Sequence, residues 1–329
     1  MIVAGSGRSG TSLFSGILQR LGYHVPQPEV PADATNPRGF AESQWVVDFH
    51  TRLLRAARVQ VSDARPAAWA LTAQVGLDPV VRRELREWLE QQYRVADHLI
   101  VKDPRLSWFL PLWRTCAEEL GVAPRFVTML RHPAAVIESK QRWYGEWQGN
   151  VARAAGWVQL TLYTERATRE TPRAFVGYED LLEDWTTAVA RVAEALDLGP
   201  VRDASAQSMR EVHAFVDRTL SRSRPDWGDI KLPSALHAQA DEVWALVSRL
   251  AVEPDAPAIA ARLDELRAAY AELYAEAEAI AQSSIAAARG RPAVRPAPAL
   301  RIMRRVPRRY RHTVPLEWRV RIARALARG

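Results

Sequence analysis

The first feature of the chain that could do chemistry is a short loop rich in glycine and hydroxyl side chains. Residues 5–12, here called the glycine loop, read GSGRSGTS and lie between an apolar run at residues 2–4 and a helical pattern of apolar residues. A loop between a strand and a helix directs backbone N–H groups at a phosphate, and the helix dipole adds positive potential. The glycine loop therefore predicts an anion site, with a tight strand-to-helix turn as the alternative.

The glycine loop differs from a nucleoside-triphosphate loop at the position of its cation. Gly5 and Gly10 have the spacing of the GxxxxGK loop, but Thr11 occupies the lysine position and Arg8 lies inside the loop. A triphosphate enzyme would lose the cation that reaches the outer phosphates. This arrangement favours a ligand with one phosphate in the loop and its reacting group near Arg8.

A second group of candidate ligands follows a later apolar run, residues 125–130. Arg131 ends this run, and Ser139 lies eight residues further on, in a helix that Pro133 opens. An arginine fork matches a phosphate with two hydrogen bonds, and a serine near the start of a helix adds a hydroxyl beside the positive end of the dipole. Taken alone, Arg131 could equally cap a strand or pair with a surface carboxylate.

These two groups resemble the signatures of the sulfotransferase superfamily. Residues 8–12 resemble its 5′-phosphosulfate loop, in the bacterial variant with arginine in place of lysine, and Arg131 with Ser139 resembles the pair that holds the 3′-phosphate. The resemblance implies 3′-phosphoadenosine 5′-phosphosulfate (PAPS) as co-substrate and no metal. The candidate cofactor-binding residues are Gly7, Arg8, Ser9, Gly10, Thr11, Ser12, Arg131, Ser139 and Tyr178.

Three further strings resemble bacterial members of the family: residues 36–42 (NPRGFAE), residues 102–106 (KDPRL) and, more weakly, residues 178–182 (YEDLL). The resemblance covers about residues 1–230. It implies sulfuryl transfer to a hydroxyl of a lipid, a glycan or a small metabolite. One rival function is a P-loop kinase of a small molecule, but the chain lacks the loop lysine of such a kinase. The other rival is a non-catalytic membrane or nucleic-acid adaptor, and this function would leave the phosphate signatures unexplained.

Sulfuryl transfer makes modest demands on side-chain chemistry. An acceptor oxygen attacks sulfur in line while charge builds on the bridging oxygen of the leaving phosphate, so the protein mainly positions groups and neutralises charge. Arg8 is assigned to the bridging and sulfuryl oxygens. Lys102 follows three apolar residues at the end of a run, and it is the second catalytic candidate for that charge.

The acceptor hydroxyl also needs a base, for which the sequence offers two carboxylates. Many members of the family use a histidine after the second strand, where this chain has Asp103; others use a glutamate from an early loop, which Glu42 resembles. Asp103 could instead pair with Arg105 or cap a helix, and Glu42 could begin the helix expected over about residues 42–58. We favour Glu42, because a loop can close over an acceptor.

These side chains need a scaffold, and the apolar runs indicate which one. Runs at residues 2–4, 98–102, 125–130 and 174–178 each precede a helical pattern, which predicts a parallel sheet with helices on both faces. The predicted fold is α/β, a P-loop-type three-layer α/β/α arrangement with a central parallel sheet, plus a C-terminal helical hairpin and a basic tail. Ligands of such sheets gather at the carboxyl ends of the strands.

The chain divides into three predicted regions. Residues 1–235 form the sulfotransferase-like α/β domain, residues 236–290 a helical hairpin, and residues 291–329 a Pro/Arg-rich tail with a short amphipathic helix. Apolar or small residues from 259 to 284 alternate in steps of four and three, as in a coiled-coil seam. Because the seam is rich in alanine, a hairpin packed on the body is favoured over a dimerising coiled coil. The sequence leaves the oligomeric state open.

Charge is distributed unevenly between the body and the tail. The tail holds twelve Arg, no Lys and one Glu, a net +11, which leaves the rest of the chain at −4 of the total of +7. Such asymmetry suggests an anionic partner, and a membrane surface is favoured over nucleic acid. A helix docked on the body, or a frayed end, is an equal alternative. Only three of the 45 basic residues are lysines: Lys102, Lys140 and Lys231.

The remaining composition bears on compartment and acceptor. Cys116 is the only cysteine, so no internal disulfide forms, and neither a signal peptide nor an apolar span is apparent. The expected location is therefore cytoplasmic, and peripheral at the inner membrane face where the tail binds.

Aromatic residues after Ser139 either line an apolar acceptor pocket or pack in the core. Residues 221–224 form either a lid on the cofactor or a polar loop. The aromatic residues are Trp143, Tyr144, Trp147 and Trp157.

Overall fold

A parallel sheet of four strands runs through the part of the chain that the structure describes. The structure is a computed structural model, and it describes residues 1–144, 148–217, 219 and 226–289. The strand order is β2-β1-β3-β4, and each neighbouring pair is parallel. The strands are β1 (Ile2–Ala4), β2 (Val101–Lys102), β3 (Phe126–Leu130) and β4 (Arg173–Gly177).

All four predicted apolar runs contribute a strand, so the predicted parallel sheet is confirmed. The strands read as continuous apolar runs because helices cover both faces of the sheet. β2 covers only the last two residues of the apolar run at 98–102. The preceding residues, 98–100, pair with His24 instead: the N–H of Ile100 donates to the carbonyl oxygen of His24 (2.9 Å).

Helices connect the strands and cover the sheet. The α-helices are α1 (Thr11–Arg20), α2 (Gln44–Ala57), α3 (Ala68–Gly76), α4 (Pro79–Tyr93), α5 (Leu110–Glu119), α6 (Pro133–Tyr144), α7 (Asn150–Ala167), α8 (Tyr178–Ala195), α9 (Gly199–Arg202), α10 (Ala206–Phe215), α11 (Ser234–Arg249) and α12 (Pro257–Arg289), with a 3-10 helix at Leu106–Phe109. None of these helices, in the residues described, is long and apolar enough to cross a membrane.

Successive residues of β1 point to opposite faces and so divide the core into layers. Ile2 and Ala4 pack with α2, α4 and α5, whereas Val3 packs with α1, α8 and α10. A further cluster joins Leu130 and Phe175 to α7, α11 and α12. The arrangement is the predicted three-layer α/β/α fold.

The helix expected over about residues 42–58 is α2, and it begins two residues later than expected. Ser43 is extended, with φ −71° and ψ 131°, and is the N-cap of α2, which starts at Gln44. Glu42 therefore precedes the helix and lies in the connecting segment. This rules out the reading in which Glu42 belongs to the first turn of the helix.

The predicted hairpin consists of α11 and the first part of α12. Its apolar seam packs on α7: Val247, Leu263 and Tyr270 are almost fully buried in the same cluster as Val158. The part of the seam from position 259 to 273 thus packs within one compact unit, Met1–Tyr274, whereas Ile280, further along the predicted seam, is exposed. Residues 275–289 continue α12 in a second unit, and the predicted basic tail lies outside the described residues.

Truncating the seam should destabilise the fold. Leu263 is 1% exposed, so Leu263→Ala removes buried surface and leaves a cavity that costs about 2–5 kcal/mol. Leu77→Ala is the matched control, because Leu77 is 70% exposed. Urea unfolding measures the two free energies, and equal stability of both variants would contradict the described packing.

Candidate active site

The topology brings the loops after β1 and β3 together. From β1 the chain goes to β2 on one side of β1, and it then passes back across β1 to β3 on the other side. The place where the strand order reverses, at which ligands of such sheets bind, therefore lies between β1 and β3. The glycine loop follows β1, and Arg131 directly follows β3. The two predicted phosphate-binding groups therefore lie at the same edge of the sheet.

Two glycines allow the glycine loop to approach its neighbours closely. Gly5 and Gly10 have φ angles of +133° and +94°, which strain any residue with a side chain. A Cβ at Gly5 would lie 2.7 Å from the carbonyl oxygen of Met129, and one at Gly10 would lie 2.5 Å from Cδ2 of Tyr178. Glycine is therefore required at both positions.

Serine side chains fix the glycine loop from within. Ser9 donates twice to the carbonyl oxygen of Ser6, through its N–H (3.1 Å) and its hydroxyl (2.6 Å). Because Ser9 is 1% exposed, this predicted ligand residue shapes the loop from its buried side. Five predicted residues of the loop line an open cleft of about 460 Å³: Gly7, Arg8, Gly10, Thr11 and Ser12.

Arg8 links the predicted 5′ and 3′ phosphate groups of residues. Its Nε donates to Ser139 Oγ (3.1 Å), and its backbone carbonyl oxygen accepts from a terminal nitrogen of Arg131 (2.9 Å). Arg8 has a φ of +76°, a strained conformation for arginine that the surrounding contacts maintain. Arg8, Arg131 and Ser139 thus meet at one point of the cleft wall, and their roles as ligands stay a prediction.

Arg131 is the best-placed anion ligand of this group. Its guanidinium lies over the Tyr178 ring, 4.2 Å from the ring centroid. Its Nε is buried and makes no hydrogen bond within the described residues, although Glu179 Oε1 lies 3.9 Å away. A buried guanidinium N–H without an acceptor is costly, so the arrangement fits an anionic ligand that supplies one.

Lys102 connects the glycine loop to the predicted base. Its ammonium donates to Ser12 Oγ (2.8 Å), to the carbonyl oxygen of Phe40 (3.0 Å) and to Glu42 Oε1. Burial raises the pKa of the Glu42 carboxyl above its usual range, although the Lys102 ammonium acts in the opposite direction. Glu42 lines the cleft, so a proton acceptor of raised basicity lies beside the loop.

Asp103, the other predicted base, is held in a different way. Its Oδ2 accepts from His50 Nδ1 (2.8 Å), and its Oδ1 accepts from the N–H (3.1 Å) and the guanidinium (2.8 Å) of Arg105. The indole N–H of Trp113 donates to His50 Nε2 (2.8 Å), so the ring proton is on Nδ1. Burial would raise the pKa of Asp103, but these partners outweigh it and hold that pKa below its usual range.

Segment 34–40 forms a wall of the cleft, and within it sequence reasoning gave no role to Arg38. The Arg38 guanidinium donates to the carbonyl oxygens of Ala214 (3.1 Å) and Phe215 (2.5 Å) and to Asp217 Oδ2 (3.0 Å). This anchors the segment to the end of α10. The string NPRGFAE was the signal that could have indicated it.

The aromatic residues after Ser139 divide between the cleft and the core. Trp143 and Tyr144 line the cleft and are 37% and 50% exposed, whereas Trp157 is 3% exposed in the core cluster with α11 and α12. Trp147 and residues 221–224 lie outside the described residues. Core packing therefore applies to Trp157, whereas an acceptor-binding role for Trp143 and Tyr144 stays a prediction.

Comparison with known proteins adds a family match. The model of the family described as "Sulfotransferase family" matches residues 1–203. A similar solved structure is the sulfotransferase domain from the Synechococcus PCC 7002 olefin synthase. It shows 20% sequence identity and a TM-score of 0.45, and the alignment covers 75% of this chain and 93% of that one. No curated protein matches the chain.

The contact between Gly10 and Tyr178 can be tested by adding one methyl group. Gly10→Ala should destabilise the fold through both backbone strain and the clash with the ring. Gly121→Ala is the matched control, because Gly121 also has a positive φ (+72°) but nothing within 4 Å of its added Cβ; strain alone costs about 1–2 kcal/mol. Urea unfolding should show a larger loss for Gly10→Ala, and equal losses would disprove the contact.

Proposed function

The chain belongs to the sulfotransferase family, and on that basis we propose that it transfers a sulfuryl group from PAPS to an acceptor hydroxyl. The observation that carries the proposal is the convergence of Arg8, Arg131 and Ser139 beside the glycine loop. Two guanidinium groups, a hydroxyl and the first N–H groups of α1 form a donor set for two separate phosphates. The buried, unsatisfied Nε of Arg131 supports the same assignment.

The proposed reaction assigns charge stabilisation to Arg8 and Lys102. The bond between the acceptor oxygen and sulfur forms while the bond between sulfur and the bridging oxygen breaks, and the leaving phosphate gains negative charge. Arg8 lies in the glycine loop, and Lys102 touches that loop at Ser12. The position of both cations at the loop that would hold the leaving phosphate supports this assignment.

We assign the base to Glu42. It lines the cleft, its carboxyl pKa is raised, and its Oε1 is held by Lys102. In the proposed reaction the acceptor proton passes to Glu42. Asp103 is assigned a positioning role instead, because both of its oxygens are occupied by His50 and Arg105.

The acceptor is proposed to be a hydroxylated molecule with an apolar or aromatic part, such as a lipid. Trp143 and Tyr144 offer partly exposed rings at the cleft. Contact of the basic tail, residues 291–329, with an anionic membrane face remains a prediction, as does the cytoplasmic location. Glycans and small metabolites are the other acceptor classes.

Ligand-induced stabilisation tests the donor. Adenosine 3′,5′-bisphosphate at about 100 times its Kd should stabilise the fold by about 2.7 kcal/mol without metal, and Arg131→Gln should abolish most of this gain. Thermal unfolding measures both. Stabilisation by ATP with Mg²⁺ but not by the bisphosphate would favour a kinase and refute the proposal.

Substitution of Glu42 tests the base. Glu42→Gln should lower kcat by about 10²–10⁴-fold, the usual contribution of a positioned base. In the wild type, kcat/KM should fall tenfold per unit as pH drops below the raised pKa of Glu42, because the protonated carboxyl cannot accept a proton. The variant should lose this acidic limb.

The control for this experiment is Glu29→Gln. Glu29 pairs with Ser43 beside Glu42 and bonds to Gln19 and Gln27, and it should keep wild-type turnover and pH dependence. The assay uses labelled PAPS with a lipid and glycan extract and detects the mass gain of sulfate. Full turnover by Glu42→Gln at saturating substrate places the base elsewhere.

A further inference from the structure

Lys140 lies behind the glycine loop and has no role in the proposed reaction. It follows Ser139 on α6, and its ammonium donates to Ser6 Oγ (3.2 Å) and to Ser62 Oγ (2.9 Å). The residue is 6% exposed. One helix therefore places a hydroxyl in the cleft, from Ser139, and a cation on the buried side of the loop.

The surroundings of this ammonium do not balance its charge. Both of its acceptors are neutral hydroxyls, and across the described ranges no carboxylate forms an ion pair with it. The charged neighbour on α7 is Arg153, which repels it. Burying an uncompensated ammonium costs several kcal/mol, and either a nearby anion or loss of the proton would relieve this cost.

Lys140 acts on the glycine loop through Ser6. The Ser6 hydroxyl that accepts from Lys140 also lies within hydrogen-bonding distance of the carbonyl oxygen of Gly7 (3.4 Å), and the Ser6 carbonyl oxygen accepts twice from Ser9. The ammonium therefore holds the residue that closes the loop. An anion bound in the loop would lie on the other side of the same few backbone atoms.

We propose that Lys140 is the positioning counter-cation of the anion bound in the glycine loop, and that donor binding is coupled to its protonation. The proposal rests on the proposed function, because it takes that anion to be the 5′ group of PAPS. It extends the site to the side of the loop that faces away from the cleft.

The coupling has a defined sign. Burial, with a smaller contribution from Arg153, lowers the pKa of Lys140 to about 8. A nearby anion favours the charged form and raises that pKa. Below this pKa the lysine is already protonated and binding takes up no proton. Above it, the free protein must bind a proton together with the ligand, so affinity should fall by up to tenfold per pH unit.

Other charged groups lie on the loop, on α7, beside Ser62 and on α6. Arg8 on the loop and Arg153 on α7 are arginines, which stay protonated. Asp63, beside Ser62, has a pKa below its usual range and is ionised. Glu138 and Arg142 on α6 itself pair with each other at 3.8 Å.

The choice of lysine supports the same role. Lysines make up three of the 45 basic residues, and two of the three, Lys102 and Lys140, are buried around the glycine loop. Arginine remains charged in proteins, whereas a buried lysine can lose its proton. A lysine at this position therefore lets the free protein relieve an uncompensated charge that an arginine would keep.

The small number of lysines makes a direct test practical. Protein labelled with ¹³C at lysine Cε gives three signals, which Lys140→Met and Lys231→Met assign. The Lys140 signal should titrate near the lowered pKa in the free protein and at least one unit higher with saturating adenosine 3′,5′-bisphosphate. An unchanged titration with bound ligand would overturn the proposal.

Calorimetry provides the second measurement. At about pH 8.5, half a pH unit above the Lys140 pKa, wild-type protein should take up a net fraction of a proton on binding the bisphosphate. This fraction is read from the difference in enthalpy between Tris and bicine buffers. Lys140→Met should bind more weakly near neutral pH and take up no proton.

Lys231→Met is the matched control, because Lys231 is exposed and its loss should leave affinity and proton uptake unchanged. Wild-type proton uptake in Lys140→Met would refute the role of Lys140 while leaving the proposed function intact. Failure of the wild type to bind the bisphosphate would instead refute the proposed function. If Lys140→Met does not fold, Lys102→Met and Lys231→Met assign the other two signals, and the titration of the remaining wild-type signal decides alone.

Discussion

The site depends on the close approach of the glycine loop to β3 and α8. The backbone of Gly5 lies against Met129 at a separation that excludes any Cβ, and Gly10 does the same against the Tyr178 ring. This approach lets Arg131 donate to the carbonyl oxygen of Arg8 and so ties the loop after β1 to the loop after β3. Without it, the two predicted phosphate-binding groups would lie in separate loops and could not share the proposed ligand.

Most of the architecture followed from local patterns in the sequence. The four apolar runs became the four strands, and the glycine loop, Arg131 and Ser139 meet because the carboxyl ends of parallel strands share an edge. The seam from position 259 gave the hairpin. These features were predictable because each is set by residues close together in the chain or by the fixed geometry of a parallel sheet.

The electrostatic partners were not predictable in the same way. The bond of His50 to Asp103 joins residues 53 positions apart, and it exists only because α2 packs against the 3-10 helix and α5. Lys140 stands in a helix with no local sign that its ammonium reaches Ser6, 134 positions away. The sequence offers such residues as candidates, but burial and packing between distant elements decide their protonation and their partners.

Two carboxylates at one sheet edge show how hydrogen bonding, more than burial, separates chemical roles. Asp103 and Glu42 are both buried beside a cation. Protonating Asp103 would disrupt bonds from His50 and from both donors of Arg105, whereas in the described residues the carboxylate of Glu42 accepts from Lys102 alone. A proton on Glu42 therefore costs one ion pair, and it releases the Lys102 ammonium while negative charge grows on the proposed leaving group. The carboxylate with fewer bonds is the one that can take the proton, and doing so makes its former partner available to the reaction.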